Sequence, residues 1–260
     1  MWPYPKVLAH RGAGVLAPEN TLAAMQHGLS YGFRAVEFDV MLSKDHVPIL
    51  MHDEYFGRTI AGKGAVADCN AQELFNMDVG SWFDPRFRGE PPPSFESVIR
   101  FCREHGIWMN IEIKPASGFE VATGRIVAET VGRHFLAELA AGRTDPLFGG
   151  HIPLLSSFSF AALDAAQSAV SELPRGLLAI RRPEDWLEQC RAIDAVSMHL
   201  SQQYLRVEEI AQIKQHGLGV LSYTVNDIKR AREILDMGVD AFCTDRIDLI
   251  AFDFAKDWTP

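Results

Sequence analysis

Short apolar runs alternate with amphipathic helical patterns along almost the whole chain. That alternation admits few folds, because two parallel strands need a long crossover between them, usually a helix. Strand candidates fall at Val7 to Ala9, Ala35 to Val40, Ile107 to Ile113, Ile152 to Leu155, Gly176 to Ile180, Ala195 to Met198, Gly219 to Thr224 and Ala241 to Cys243. Helix candidates between them include Thr21 to Tyr31, Ser94 to His105, Phe160 to Val170, Glu184 to Cys190, Arg206 to His216 and Asp227 to Met237. Asn20 is placed to cap the first helix, and Gly32, Gly106, Gly217 and Gly238 stand where helices end. Eight such strands predict an α/β fold, a (β/α)₈ TIM barrel, and 260 residues suit one barrel closing around one core, a single domain over 1–260.

A ninth apolar run, Val47 to Met51, breaks the count because only Ser43 to His46 separates it from the preceding strand. A turn that short forces an antiparallel return. The expectation is a hairpin that extends the second barrel strand and returns His52 to the barrel mouth. From Glu54 to Pro93 the pattern is irregular, with clustered Gly, Pro and aromatics, too long for an ordinary connection; it reads as an insertion over the mouth.

Composition excludes several classes. No run approaches the roughly 20 apolar residues of a membrane span, and the opening Met1 to Lys6 lacks the charged and apolar regions of a secretory signal. Cys69, Cys102, Cys190 and Cys243 are scattered without a Cys-x-x-Cys pair, so a reducing cytoplasm is expected and neither zinc nor a disulfide framework is. A net charge of -9 with no Lys/Arg run argues against nucleic acid as a partner. Oligomeric state is not legible.

The chemistry concentrates at strand ends, where barrels of this kind carry their catalysts. His10-Arg11-Gly12 closes the first strand. In the second, Glu37 and Asp39 stand at i and i+2 and project to one face. Asn110-Ile111-Glu112-Ile113-Lys114 repeats the device, with polar residues on one face and β-branched ones on the other. Burying carboxylates together costs several kcal/mol unless a cation neutralises them. The all-oxygen set Glu37, Asp39 and Glu112 suits Mg²⁺ or Ca²⁺ over zinc. For either pair alone a structural ion pair, such as Glu112 with Lys114, is the alternative. Two such pairs on successive inward strands, with histidines at two neighbouring strand ends, favour the cation. His10 and His52 then offer two imidazoles that titrate near neutrality, as a reaction needing both a base and an acid requires. Phosphodiester cleavage is such a reaction, with Arg11 and Lys114 set against the charge on phosphorus.

An ordered set of motifs carries a resemblance over essentially the whole chain: His10-Arg11-Gly12, Pro18-Glu19-Asn20-Thr21, Glu37-x-Asp39, His52-Asp53, Asn110 to Lys114, Leu155-Ser156-Ser157-Phe158, Tyr223-Thr224-Val225-Asn226, and Gly238-Val239-Asp240 followed by Thr244-Asp245. The chain resembles the glycerophosphodiester phosphodiesterases. Trp2-Pro3-Tyr4-Pro5, Cys102 to Gly106 and Leu173 to Leu178 resemble the bacterial cytosolic type linked to glycerol-phosphate uptake. The resemblance implies a barrel with an insertion after the second strand. It also implies cleavage of small glycerophosphodiesters, deacylated phospholipids such as glycerophosphocholine or glycerophosphoethanolamine, to glycerol 3-phosphate and an alcohol. With it come one divalent cation on Glu37, Asp39 and Glu112, proton transfer by His10 and His52, and phosphate contacts from Arg11 and Lys114.

Three departures bear on substrate preference. The hairpin turn reads Asp45-His46 where the family has Asp-Gly, Arg58-Thr59-Ile60 lacks a last hydroxyl, and Tyr223 replaces a common Trp, keeping a stacking face. Competing readings are a lyase that forms a cyclic phosphate with the same histidines and metal, and a non-catalytic binding barrel. An amidohydrolase barrel is disfavoured, since no His-x-His pair follows the first strand. His199 follows a strand run and is a weaker candidate for the mouth, with no matching partner. His46 reads as a turn residue and His151 as a loop residue, while His27, His105, His134 and His216 belong to helical patterns as surface or packing groups.

Overall fold

A computed structural model of the chain describes residues 2–141 and 152–258. Its strands are β1 (Val7–His10), β2 (Ala35–Leu42), β3 (Pro48–Leu50), β4 (Trp108–Ile113), β5 (Leu154–Ser157), β6 (Arg175–Ala179), β7 (Ala195–Ser201), β8 (Gly219–Tyr223) and β9 (Ala241–Thr244). All pair in parallel in the order β1-β9-β8-β7-β6-β5-β4-β2 except β3, and the β1–β2 pairing closes the ring as a (β/α)₈ barrel. The strand β3 runs antiparallel to β2, with Val40 opposite Leu50 and Leu42 opposite Pro48, as the short turn requires. His46, exposed at that turn, has φ +62.

Alternation along the strands divides two environments. On β2, Val36, Phe38 and Val40 face outward into the core beneath the helices, together with Met109, Ile111 and Ile113 of β4. The inward residues form layers. An apolar floor of Leu8, Ala35, Trp108, Leu154, Leu221 and Cys243 is plugged from below by Tyr4, stacked 4.6 Å from Trp108. Above it β2, β4, β5 and β7 turn polar, through Glu37, Asn110, Ser156, Ser197 and His199. A closed barrel mouth is the one part of such a core with access to water, which is why polar side chains collect at the carboxyl ends of the strands.

Helices Leu22–Ser30, Phe95–Glu104, Phe160–Ala169, Trp186–Ala192, Val207–Gln215 and Ile228–Asp236 match their expected positions within a few residues, and the four expected terminal glycines all have positive φ. The strand at β5 lies later than expected, because Ser156 and Ser157 continue the pairing beyond the apolar run. The helix Glu120–His134 was not anticipated. It buries Val127 and Val131 among the smaller Thr123, Gly124, Ala128 and Thr130, a thin apolar stripe. One capping expectation is corrected. Thr21, not Asn20, caps the first helix, its hydroxyl accepting from the Ala24 amide at 3.0 Å, while Asn20 adopts φ +57 and turns its side chain elsewhere.

Segment 54–93 holds short helical turns at Val66–Asp68, Ala71–Leu74 and Pro85–Phe87. Ile60, Val66, Leu74 and Val79 share a small apolar cluster with Met41 and Ile49 of the hairpin. His151 lies outside the described residues.

Phe38 is fully buried, with its ring 6.2 Å from that of Phe95. Truncation to alanine leaves a cavity that close-packed neighbours fill only in part. Phe38→Ala is therefore expected to lower unfolding free energy by about 3–5 kcal/mol, measured by urea denaturation.

Candidate active site

The parallel registers set the site. Glu37 pairs with Asn110, and Asp39 with Glu112, so the three inward acids share two adjacent strands. One carboxylate oxygen from each of Glu37, Asp39 and Glu112 lies within 4.8 Å of the other two, and all three residues are nearly fully buried. Crowded, buried carboxylates resist ionisation. Burial, followed by the Asp39 charge, pushes Glu37 up to about 7 and Glu112 up to about 8. Asp39 goes the other way: burial opposes it, but Arg11, His52, Lys114 and the Asn20 hydrogen bond hold it below the usual carboxylate range. Three acids of which two take up protons near neutrality are a donor set that fits a hard divalent cation.

Basic groups surround this triad. Lys114 Nζ lies 3.1 Å from Glu112 Oε1 and 3.8 Å from Asp39 Oδ1, so the ion pair weighed as an alternative does exist, while Glu37 lies beyond it and accepts from the Arg11 amide at 3.3 Å. Arg11, at φ +52, sends Nη1 to Glu19 Oε1 at 2.8 Å. Its Nε is 3.5 Å from Asp39 Oδ2 and, though buried, has no hydrogen-bond partner among the described residues. A buried guanidinium N–H without an acceptor is a donor available to an anionic ligand.

Both histidines are anchored in the same manner. His10 Nδ1 meets Asp245 Oδ1 at 2.6 Å, and His52 Nδ1 meets Asp53 Oδ1 at 2.6 Å. Each bond leaves Nε2 as the outward atom, and that of His10 is 3.7 Å from Glu37 Oε2. Their environments differ. Burial disfavours protonated His10, but the Asp245 hydrogen bond and the field of Glu37 raise it overall. For His52 burial dominates, with Arg11 and Lys114 adding to it against Asp39, and its pKa is lowered.

The residues that hold these groups stand in the sequence motifs, where Asn20 reads as a helix cap and Asn226 and Arg58 carry no expected role. Asn20 clamps Asp39, donating from Nδ2 to Oδ2 at 2.8 Å and accepting the Asp39 amide at 3.1 Å. Asn226 does the same for Asp245, at 2.9 and 2.8 Å. Arg58, from segment 54–93, bridges Asp53 at 2.7 Å and Glu19 at 2.5 and 2.7 Å. Those motif positions were the available signal; which side chain reaches which is a tertiary fact. Tyr223 uses its hydroxyl to reach the Ala179 carbonyl at 2.9 Å, and its ring meets Phe158 edge-on. A cavity of about 490 Å³ opens beside His52 and Lys114, walled by Tyr55, Phe56 and Arg58, which is room for a small ligand.

His199 does not reach the mouth. It is fully buried in the barrel, with Nε2 3.0 Å from Ser197 Oγ.

The fold and the site define a (β/α)₈-barrel protein with an acidic, histidine-flanked pocket at the carboxyl ends of its strands. The sequence signature of the glycerophosphoryl diester phosphodiesterase family matches residues 10–249. YhdW of Bacillus subtilis is 29% identical over 255 residues, covering 95% of this chain and 97% of the relative. A glycerophosphodiester phosphodiesterase of Caldanaerobacter subterraneus subsp. tengcongensis is 28% identical, with 92% and 93% covered. Among solved structures, an Oleispira antarctica phosphodiesterase in complex with the product sn-glycerol-3-phosphate is similar at a TM-score of 0.84 and 31% identity, covering 97% of this chain and 96% of that one. The chain belongs to the glycerophosphoryl diester phosphodiesterase family.

Burial pushes His199 down to about 3. An imidazole whose folded pKa lies below its unfolded value of about 6.5 contributes stability that is complete above that value and is lost as pH falls. Between about pH 7 and about pH 4 the protein is expected to lose about 3 kcal/mol more than a His199→Phe variant does, measured by urea denaturation at each pH.

Proposed function

We propose that this chain hydrolyses glycerophosphodiesters, deacylated phospholipids such as glycerophosphocholine or glycerophosphoethanolamine, to glycerol 3-phosphate and the head-group alcohol. The observation that carries the reading is a set of three buried carboxylates within 4.8 Å of one another, beside two imidazoles each tied through Nδ1 to an aspartate. Glu37, Asp39 and Glu112 would hold one Mg²⁺ or Ca²⁺. When bound, that ion supplies positive charge against a non-bridging phosphate oxygen. Arg11, whose Nε makes no hydrogen bond among the described residues, and Lys114 bind the other phosphate oxygens and stabilise the charge that grows on them. One imidazole removes a proton from the attacking water and the other delivers a proton to the leaving alkoxide, both through Nε2. Asp245 and Asp53 keep the rings oriented for that exchange.

Segment 54–93 serves as an insertion in one domain, contributing Tyr55, Phe56 and Arg58 to the wall beside His52. A cytoplasmic location fits the four free cysteines, three of them buried. Among the described residues no helix is long and apolar enough to cross a membrane.

Three outcomes test the reading. Hydrolysis of glycerophosphocholine, followed by phosphorus NMR, should yield glycerol 3-phosphate with added Mg²⁺ or Ca²⁺ and collapse under EDTA; a cyclic phosphate as the final product would make the chain a lyase. His52→Ala should lower kcat by a factor on the order of 10² to 10⁴ while cation binding, read by calorimetry, survives. Glu37→Gln should instead weaken cation binding. Full turnover in metal-free buffer would refute the role of the triad.

A further inference from the structure

Against the carboxylate triad the barrel encloses a second, smaller cavity of about 30 Å³, lined by His10, Glu37, Asn110, Glu112, Ser156 and His199 among others. Three polar atoms at its wall have no hydrogen-bond partner among the described residues: Asn110 Oδ1, Ser156 Oγ and His199 Nδ1. Their residues are 2%, 0% and 0% exposed. One unpaired buried polar atom costs on the order of 1–3 kcal/mol. Three lining one cavity point to a shared partner.

The chemistry of the wall specifies that partner. Ser197 Oγ lies 3.0 Å from His199 Nε2, and when that hydroxyl donates, Nδ1 of the neutral ring carries the hydrogen and is a donor toward the cavity. Ser156 offers a second donor. Asn110 Oδ1 is an acceptor only. Glu112, the register neighbour of Ser156, is a second acceptor, with its Oε1 also taken by Lys114. Two donors and two acceptors are what one water molecule satisfies, and a polar site needs only about 10–15 Å³ to hold one.

The backbone is shaped for this arrangement. Gly176, register partner of both Ser156 and Ser197, faces the barrel interior. A Cβ added there would come 2.5 Å from His199 Nε2 and 2.8 Å from Ser197 Oγ, so the absence of a side chain on β6 is what lets the imidazole lie across the barrel.

We propose that Asn110, Ser156 and His199 hold an ordered water that hydrogen-bonds the Glu112 carboxylate from below and positions it for the divalent cation. This inference rests on the reading that the triad binds a cation. The three residues are positioning residues: they act on Glu112 through the water and need not touch substrate. Outer partners of this type tune affinity for the ion more than they tune folding.

Titration of Mg²⁺ into metal-free protein by calorimetry tests it, using the wild-type chain, Ser156→Ala, Ser156→Thr and His199→Phe. Ser156→Ala and His199→Phe are each expected to raise the Mg²⁺ Kd by about tenfold or more, with the Tm of the metal-free protein not lowered in parallel. Ser156→Thr, which keeps the hydroxyl, should bind as the wild type does, and kcat of Ser156→Ala at saturating Mg²⁺ should recover. A high-resolution crystal structure should show the water among Asn110, Ser156, His199 and Glu112. Folded Ser156→Ala binding Mg²⁺ with the wild-type Kd, or a cavity without that density, would overturn the inference while leaving the phosphodiesterase reading intact. A wild-type chain that binds no Mg²⁺ or Ca²⁺ would overturn both.

Discussion

Mutual repulsion among Glu37, Asp39 and Glu112 is the constraint around which the mouth of this barrel is organised. At separations within 4.8 Å, each ionised pair costs about 3 kcal/mol even at an effective dielectric near 20. Three pairs together approach the whole net stability of an ordinary domain, about 5–15 kcal/mol. Such a cluster persists only with compensation. Arg11 and Lys114 supply part of it, Asn20 stabilises the charge on Asp39, and Glu37 and Glu112 take up protons near neutrality when nothing else balances them. The same arrangement that is costly alone becomes a strong donor set once a divalent ion sits among the oxygens.

From that centre outward, the positions of the other groups follow a shared logic. Each histidine gives Nδ1 to an aspartate, and each aspartate has a further support: Asn226 for Asp245, Arg58 for Asp53. The chain of contacts from Arg11 through Glu19 and Arg58 to Asp53 links the first strand end to segment 54–93. The small apolar cluster that joins that segment to the β2–β3 hairpin fixes where Arg58 starts. The wall of the larger cavity and the orientation of His52 therefore depend on one another, and a change in packing of the segment would be felt at the imidazole. The field at the two rings is unequal because Glu37 and Asp245 outweigh Arg11 at His10, whereas at His52 Arg11 and Lys114 act together against Asp39.

Much of the architecture was legible before the structure. Alternation with period two marks β2 and β4, and the turn at Ser43 to His46 is too short for anything but an antiparallel return. The i and i+2 spacing of Glu37 and Asp39, and of Asn110 and Glu112, already assigned these residues to one face. What misled the reading has a local cause in each instance. The helix Glu120–His134 has only Val127 and Val131 as larger apolar residues on a buried face otherwise made of threonine, alanine and glycine, so its apolar period is weak. Asn20 is a good helix cap by type, but its side chain is engaged by Asp39, and the hydroxyl of Thr21 takes the cap instead. His199 looked like a candidate for the mouth because it follows a strand run. That strand continues to Ser201, which leaves the imidazole inside the barrel.

The sequence by itself determined the strand count, the face on which each acid lies, the two histidines at strand ends and the hairpin between them, because these follow from spacing along one chain. Only the tertiary structure decided that the acids of β2 and β4 converge, that Asp245 closes onto His10 across 235 positions of sequence, and that Asn110, Ser156 and His199 share one cavity. Those are relations between strands. Which inward side chains meet is set by the register and closure of the barrel, and neither is written in the local pattern of any single strand.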